Sequence, residues 1–217
     1  MLSAIKILAT ALLTLLTLAA GIIVLHTTIR LIRHFHKFPM PQALANLIDN
    51  PMRRRVQPPV EMPQRHGLQP GMRVLEVGPG NGRYSVESAR AVAPCGSLVT
   101  IDIEPRMIER VQARAQAESI TNLEARTADV FALPFADGEF DAVYMITVIG
   151  EIPQPERALA EFQRVLKDGG TLAFSELFLD PDYPTRRWLT QLAGQAGFLL
   201  KSQSGNFFSY TLVFEKA

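Results

Sequence analysis

Cysteine occurs once in the 217 residues, as Cys95 between Pro94 and Gly96, so the chain can close no disulfide within itself and offers no thiolate cluster to zinc or iron. It reads as a loop residue. An excess of charge of either sign is also missing: 22 Lys and Arg against 21 Asp and Glu leave a formal +1. That balance points away from a nucleic-acid binder or an acidic scaffold. Nor is there length for two full domains. At 24.0 kDa the chain holds one globular domain plus a short appendage, and one active site is expected.

From Ile7 to Leu25 charge is absent altogether. This run of Leu, Ile and Ala, at ~1.5 Å per residue, is long enough to cross a hydrocarbon core of about 30 Å. A cleaved signal peptide is the rival reading, since Lys6 precedes the run and Ala19, Ala20 and Gly21 are small. The run continues through Ile22, Ile23, Val24 and Leu25, past the length of a signal core, which favours a retained anchor. Arg30, Arg33, His34, His36 and Lys37 follow the span, against Lys6 and the amino terminus before it. The positive-inside bias then predicts a single-pass protein with its C-terminal bulk facing the cytoplasm. Residues 1–32 are read as the anchor. Residues 33–66, punctuated by prolines and carrying Arg53, Arg54 and Arg55, are read as a juxtamembrane connector. Ala43–Ile48 offers one short amphipathic pattern there, and the arginines are candidates for anionic headgroups.

Residues 67–217 alternate between two periodicities. Apolar runs at Met72–Val77, Ser97–Ile103, Leu123–Thr127, Phe140–Val148 and Thr171–Leu177 predict strands. Helical patterns over Tyr84–Ala93, Met107–Ala117 after Pro105, Pro155–Leu166 and Trp188–Ala196 separate them, the third closed by Lys167, Asp168 and two glycines. Strand–helix alternation implies a parallel sheet covered on both faces, with ligands at the carboxyl ends of the strands. Phe198–Lys201 and Phe207–Phe214, joined by Ser202–Asn206, predict an antiparallel pair at one edge.

The first strand runs Val74-Leu75-Glu76-Val77 into Gly78-Pro79-Gly80-Asn81-Gly82. The Gly-x-Gly-x-x-Gly spacing of nicotinamide enzymes is not met, and no hydride-transfer group accompanies the turn, which disfavours an oxidoreductase. The segment resembles motif I of the class I S-adenosylmethionine-dependent methyltransferases. The likeness continues in order through Ile101-Asp102-Ile103-Glu104-Pro105-Arg106-Met107, through Ala128-Asp129-Val130 and Leu133–Asp141, and through Glu156–Gly170, over about residues 67–177. The last stretch is similar to the subgroup that includes the ubiquinone and menaquinone methyltransferases. The resemblance implies a Rossmann-like α/β fold with a seven-stranded, mostly parallel sheet whose last strand is antiparallel, preceded here by one transmembrane helix. It implies S-adenosylmethionine as cofactor and S-adenosylhomocysteine as product. By the same resemblance Glu76, Gly78, Pro79, Gly80 and Gly82 hold the methionine part, Asp102, with Ile103 and Met107 beside it, the ribose, and Asp129 and Val130 the adenine. Thr147 is a further candidate for the pocket wall.

Methyl transfer from a sulfonium asks the protein mainly for alignment and exclusion of water, so no metal and no obligate nucleophile is expected. Where many relatives carry histidine pairs, this chain has Gly150 and Glu151. Glu151 is the candidate base, and Gly150, Glu151, Glu176, Asn206 and Tyr210 are the candidate acceptor pocket, with a solvated Glu151 and aromatics in an edge strand as the plainer reading. The expected partners are a membrane and a small, lipid- or quinone-like acceptor. A small soluble acceptor, a nicotinamide oxidoreductase and a non-catalytic cofactor-binding adaptor are the alternatives.

Overall fold

The computed structural model describes residues 2–35 and 50–217. The Ala43–Ile48 pattern, and His36 and Lys37 of the basic flank, lie outside the described residues.

Helix α1 (Leu2–Phe35) is 34 residues long. Within it, Lys6–Arg33 is long and apolar enough, by length and composition, to cross a membrane. Every side chain from Ile7 to Leu25 is exposed. From His26 onward the helix changes character, because its next residues meet the rest of the chain. His26, Arg30 and Arg33 follow one another at four and three residues, a single helical stripe, and all three reach residues 178–182.

The segment expected to be a connector is, from Asn50 onward, part of the globular domain. Asn50 caps α2 (Pro51–Val56) by accepting from the Arg53 N–H at 2.9 Å, and α3 (Met62–Arg65) follows. Gln57, Met62 and His66 are buried. The His66 ring stacks on Tyr144 at 4.7 Å and its Nε2 lies 2.8 Å from Ser175 Oγ. Apolar and hydrogen-bonding surface of this kind must be covered, which is why a proline-rich stretch that reads as linker folds onto the sheet.

The domain is a seven-stranded sheet in the order β3-β2-β1-β4-β5-β7-β6. Its strands are β1 (Arg73–Val77), β2 (Ser97–Asp102), β3 (Leu123–Thr127), β4 (Phe140–Ile146), β5 (Leu166–Leu177), β6 (Phe198–Gly205) and β7 (Ser209–Lys216). The first five pair in parallel, and β7 runs antiparallel between β5 and β6. Helices α4 (Arg83–Val92), α5 (Pro105–Ala117), α6 (Pro155–Val165) and α7 (Arg186–Gln195) supply the crossovers and the covering layers. Leu75, Val77, Ile101 and Phe174 pack with α6 and α7 on one face; Val74, Leu98, Tyr144 and Met62 pack with α4 on the other.

Two boundaries differ from the sequence reading. Lys167–Gly170 is not a loop after α6: β5 begins at Leu166, and these four residues bulge between the pairings Phe140–Leu166 and Ala142–Thr171. The edge hairpin turns at Asn206–Phe208 rather than at Ser202–Asn206, because β6 continues to Gly205 opposite Tyr210. Ser202, Gln203 and Ser204 look like turn residues, but on an edge strand facing solvent their polarity costs nothing.

Candidate active site

A cavity of about 350 Å³ opens at the carboxyl ends of β1, β2 and β4. One wall is the turn between β1 and α4. Gly78 has φ +69°, and a Cβ there would lie 2.5 Å from Val148 Cγ2, so this glycine is demanded by packing. Gly80 has φ +58°, yet a Cβ there meets no heavy atom within 4 Å; it faces the cavity and leaves its backbone open to whatever enters. Gly82 does not line the cavity. It is the N-cap of α4, and a Cβ there would lie 3.1 Å from the Val111 Cα of α5.

Below the turn lies Glu76. The parallel register sets Thr100 and Tyr144 on either side of it, on the same face of the sheet, and Ser85 of α4 lies above. The carboxyl is buried, and its Oε2 has no hydrogen-bond partner among the described residues. Burial raises its pKa from 4.5 to about 7, against the opposing pull of the Ser85, Tyr144 and Thr100 hydroxyls. An acceptor left unsatisfied at the floor of a cavity is what a ligand carrying a cation or a donor would complete. At the next strand end Asp102 lines the wall, its Oδ1 accepting from the Glu104 N–H at 2.9 Å, and burial pushes its pKa up. Ile103 and Met107 line the wall beside it. Asp129 and Val130, after β3, complete that side, with Asp129 Oδ1 accepting from the Phe131 N–H at 2.9 Å.

The opposite wall is built after β4. Thr147 has φ +55°, a strained setting for a β-branched residue. Its hydroxyl donates to the Ile146 carbonyl at 2.8 Å and accepts from Arg53 Nη2 at 2.8 Å. Glu151 ends a single 3₁₀ turn (Ile149–Glu151) and lines the same wall, with Arg33 Nη2 at 3.6 Å from its Oε1. Arg33 is almost wholly buried and also bonds Asp182 through Nε. Asp180 lines the cavity too. Its Oδ1 accepts from the Asp182 N–H, and burial holds its pKa above the ordinary carboxylate value.

Of the residues expected to form the acceptor pocket, only Glu151 lies on this wall. Gly150 is turned away, packed so tightly that a Cβ would come 2.1 Å from the Asp182 carbonyl oxygen. Glu176 is buried beneath the wall, its pKa raised well above the ordinary value by burial and by Asp180. Asn206 is a turn residue, its Oδ1 accepting from the Phe208 and Ser209 N–H groups. Tyr210 is core, donating to the Pro184 carbonyl at 2.7 Å. Conversely, Arg53, Tyr84 and Asp180 line the cavity without having been expected there. Only Asp180 carried a local signal, in the Asp180-Pro181-Asp182-Tyr183 turn after β5.

Strand order, antiparallel β7 and a glycine turn over a buried acid together define the Rossmann-like methyltransferase fold. Residues 75–174 match the family model described as a methyltransferase domain. An uncharacterized protein of Mycobacterium tuberculosis is 38% identical over 106 residues, 49% of this chain and 37% of that protein. An arsenite methyltransferase of Halobacterium salinarum is 29% identical over 117 residues, 54% of this chain and 30% of that protein. The chain thus spans about a third of the length of these relatives. A S-adenosylmethionine-dependent methyltransferase from Aquifex aeolicus superposes with a TM-score of 0.77 at 20% identity, over 82% of this chain and all of that one.

Proposed function

We propose that the protein is a membrane-tethered methyltransferase that moves the methyl group of S-adenosylmethionine to a lipophilic small molecule, with its domain on the cytoplasmic side. The observation that carries the cofactor half of this reading is Glu76 Oε2, buried and without a partner among the described residues, in a cavity that also presents Asp102 and Asp129. Glu76 would take the ammonium group and Gly78, Pro79 and Gly80 the rest of the methionine part. Asp102, with Ile103 and Met107, would hold the ribose, and Asp129 with Val130 the adenine. When bound, the cofactor supplies an electrophilic methyl group on a sulfonium.

The chain's own task is alignment. Thr147, fixed by Arg53, and Glu151, fixed by Arg33, would set the wall that an acceptor approaches. An acceptor arriving protonated must surrender that proton, and Glu151 and Asp180 are the carboxylates on this wall. Tyr84, Phe131, Ile152 and Pro153 supply apolar surface that displaces water.

The lipophilic acceptor is supported by a groove of about 720 Å³ between α1 and the domain. Thr27, Arg30 and Leu31 form one side of it, Pro184 and Trp188 the other, and Ile152 and Pro153 belong both to the groove and to the cavity. The shared Ile152 and Pro153 put the groove beside the cavity, which supports an acceptor arriving from the side of the apolar helix. Full-length protein in liposomes should transfer label from methyl-labelled S-adenosylmethionine to a component of an extracted membrane lipid fraction, read by mass spectrometry. Labelling of soluble metabolites alone would leave a methyltransferase and remove the lipophilic acceptor. Cofactor binding with no labelled product from either fraction would favour the adaptor.

A further inference from the structure

Where α1 leaves its exposed apolar stretch, the domain presents apolar side chains of its own. Leu179, Trp188 and Phe207 are exposed by 46%, 42% and 68%. They belong to the three segments that surround the end of the span. The Leu179 carbonyl is 3.1 Å from His26 Nε2, immediately after Leu25. Trp188 shares the α1 groove with Thr27. Phe207 packs on Phe178 at 4.8 Å between ring centres, and its carbonyl accepts from Tyr183 OH at 2.7 Å. Phe178 in turn carries the Arg30 guanidinium over its ring at 5.2 Å. The three residues thus stand on a platform locked to the helix at His26 and Arg30, one turn beyond its uncharged part.

We propose that this face, Leu179, Trp188 and Phe207 with the exposed Arg187 beside them, is seated in the headgroup layer of the membrane that α1 crosses. The inference rests on the anchor reading and adds to it: the domain is not held off at the end of a flexible tether but lies against the bilayer in one orientation. The partner follows from continuity. The run free of charge and histidine ends at Leu25, exposed apolar side chains continue beyond it at Ile29, Leu31 and Ile32, and the platform starts at this level, where a membrane-crossing helix passes through the interface. Aromatic side chains with a polar edge prefer that layer, and an arginine beside them meets lipid phosphates. The polar contacts that lock the platform, His26 to Leu179 and Arg30 to the carbonyls of Phe178, Asp180 and Pro181, satisfy groups that would otherwise enter the interface unpaired.

Trp188 is the only tryptophan in the chain and reports on its own position. The full-length protein is reconstituted into phosphatidylcholine nanodiscs with and without dibrominated acyl chains near the headgroup, and Trp188 emission is compared. The expected result is a several-fold loss of emission in brominated lipid. A second protein, Trp188→Phe with Leu199→Trp, carries its probe at the far end of β6, about 20 Å of strand from the hairpin; it should keep its emission in both lipids. Carbonate washing of the same protein in liposomes separates the two layers of the reading. Protein that resists washing but keeps full Trp188 emission in brominated lipid retains the anchor and overturns the seated face. Protein that washes off overturns the anchor, and the seated face with it.

Discussion

Arg53 Nη2 donates to Thr147 Oγ1 at 2.8 Å, joining a helix that precedes the sheet to the strained end of β4, 94 residues later. The guanidinium also lies over Tyr84, 5.7 Å from the ring centre. An arginine that reads as a headgroup ligand is thereby part of the cavity wall. Arg53→Met should raise the KM for the acceptor at least tenfold and lower S-adenosylmethionine affinity by much less, since a hydrogen bond from a charged group is worth about 1.5–3 kcal/mol. Equal losses for both ligands would show that Arg53 only supports the fold.

The two glycines of the turn separate packing from binding. Gly78→Ala places a methyl on Val148 at a positive φ, and it should destabilise the apo protein clearly, by more than the 1–2 kcal/mol or so of left-handed backbone alone. Gly80→Val meets no neighbour, so its cost to the fold is the left-handed backbone at φ +58° alone and the fold should persist at reduced stability, while cofactor affinity, read by calorimetry, is abolished. Unchanged affinity in Gly80→Val would detach this turn from the cofactor.

Asp102→Ala should weaken S-adenosylmethionine about 10- to 100-fold, as loss of charge-assisted hydrogen bonds of about 1.5–3 kcal/mol predicts. Because burial raises the pKa of Asp102, wild-type affinity should fall as pH is lowered through a value above its ordinary 3.8. A variant with wild-type affinity would place the ribose elsewhere.

Glu76 and His66 give opposite pH dependences. Glu76 keeps its proton up to about pH 7 in the fold but loses it near 4.5 when unfolded, so stability falls as pH rises between those values. His66, buried and beside Arg65, is held neutral down to about pH 3, while the unfolded chain takes up a proton below about 6.5. Its contribution is therefore lost as pH falls through that window. Between pH 4.5 and 6.5 the two slopes oppose each other, and denaturant melts of the wild type should change little. Glu76→Gln should lose stability on acidification through this range, and His66→Gln should gain it; parallel curves for all three proteins would contradict both assignments. Binding of a cationic amine beside Glu76 should also release a proton near pH 6.5, visible as a binding enthalpy that varies with the buffer and ceases to vary in Glu76→Gln.

The β1–turn–α4 unit, the alternation of strands with helices and the long apolar helix were legible because each is local. Alternating periodicity, turn glycines and an uncharged run are written in consecutive residues, and Val74–Gly82 reads directly as a strand entering a glycine turn. Placement of Arg53, Asp180 and the hairpin was not local. Arg53 reaches Thr147 only because Met62 and His66 are drawn onto the sheet, and prolines and arginines look the same in a linker as in a folded strap. Asn206 and Tyr210 left the expected pocket because β6 extends to Gly205 along an edge, where polar residues are as stable as apolar ones and periodicity carries no signal. Glu151 came to the cavity as its position after β4 suggested, but its bond to Arg33, across more than a hundred residues, belongs to the tertiary structure alone. The sequence by itself determined the fold class, the glycine turn and the long apolar helix, through local pattern. Which side chains close the cavity, and that the end of α1 is locked to the loop after β5, were decided by packing of distant segments, where buried charge and apolar surface must find partners that no short stretch of sequence contains.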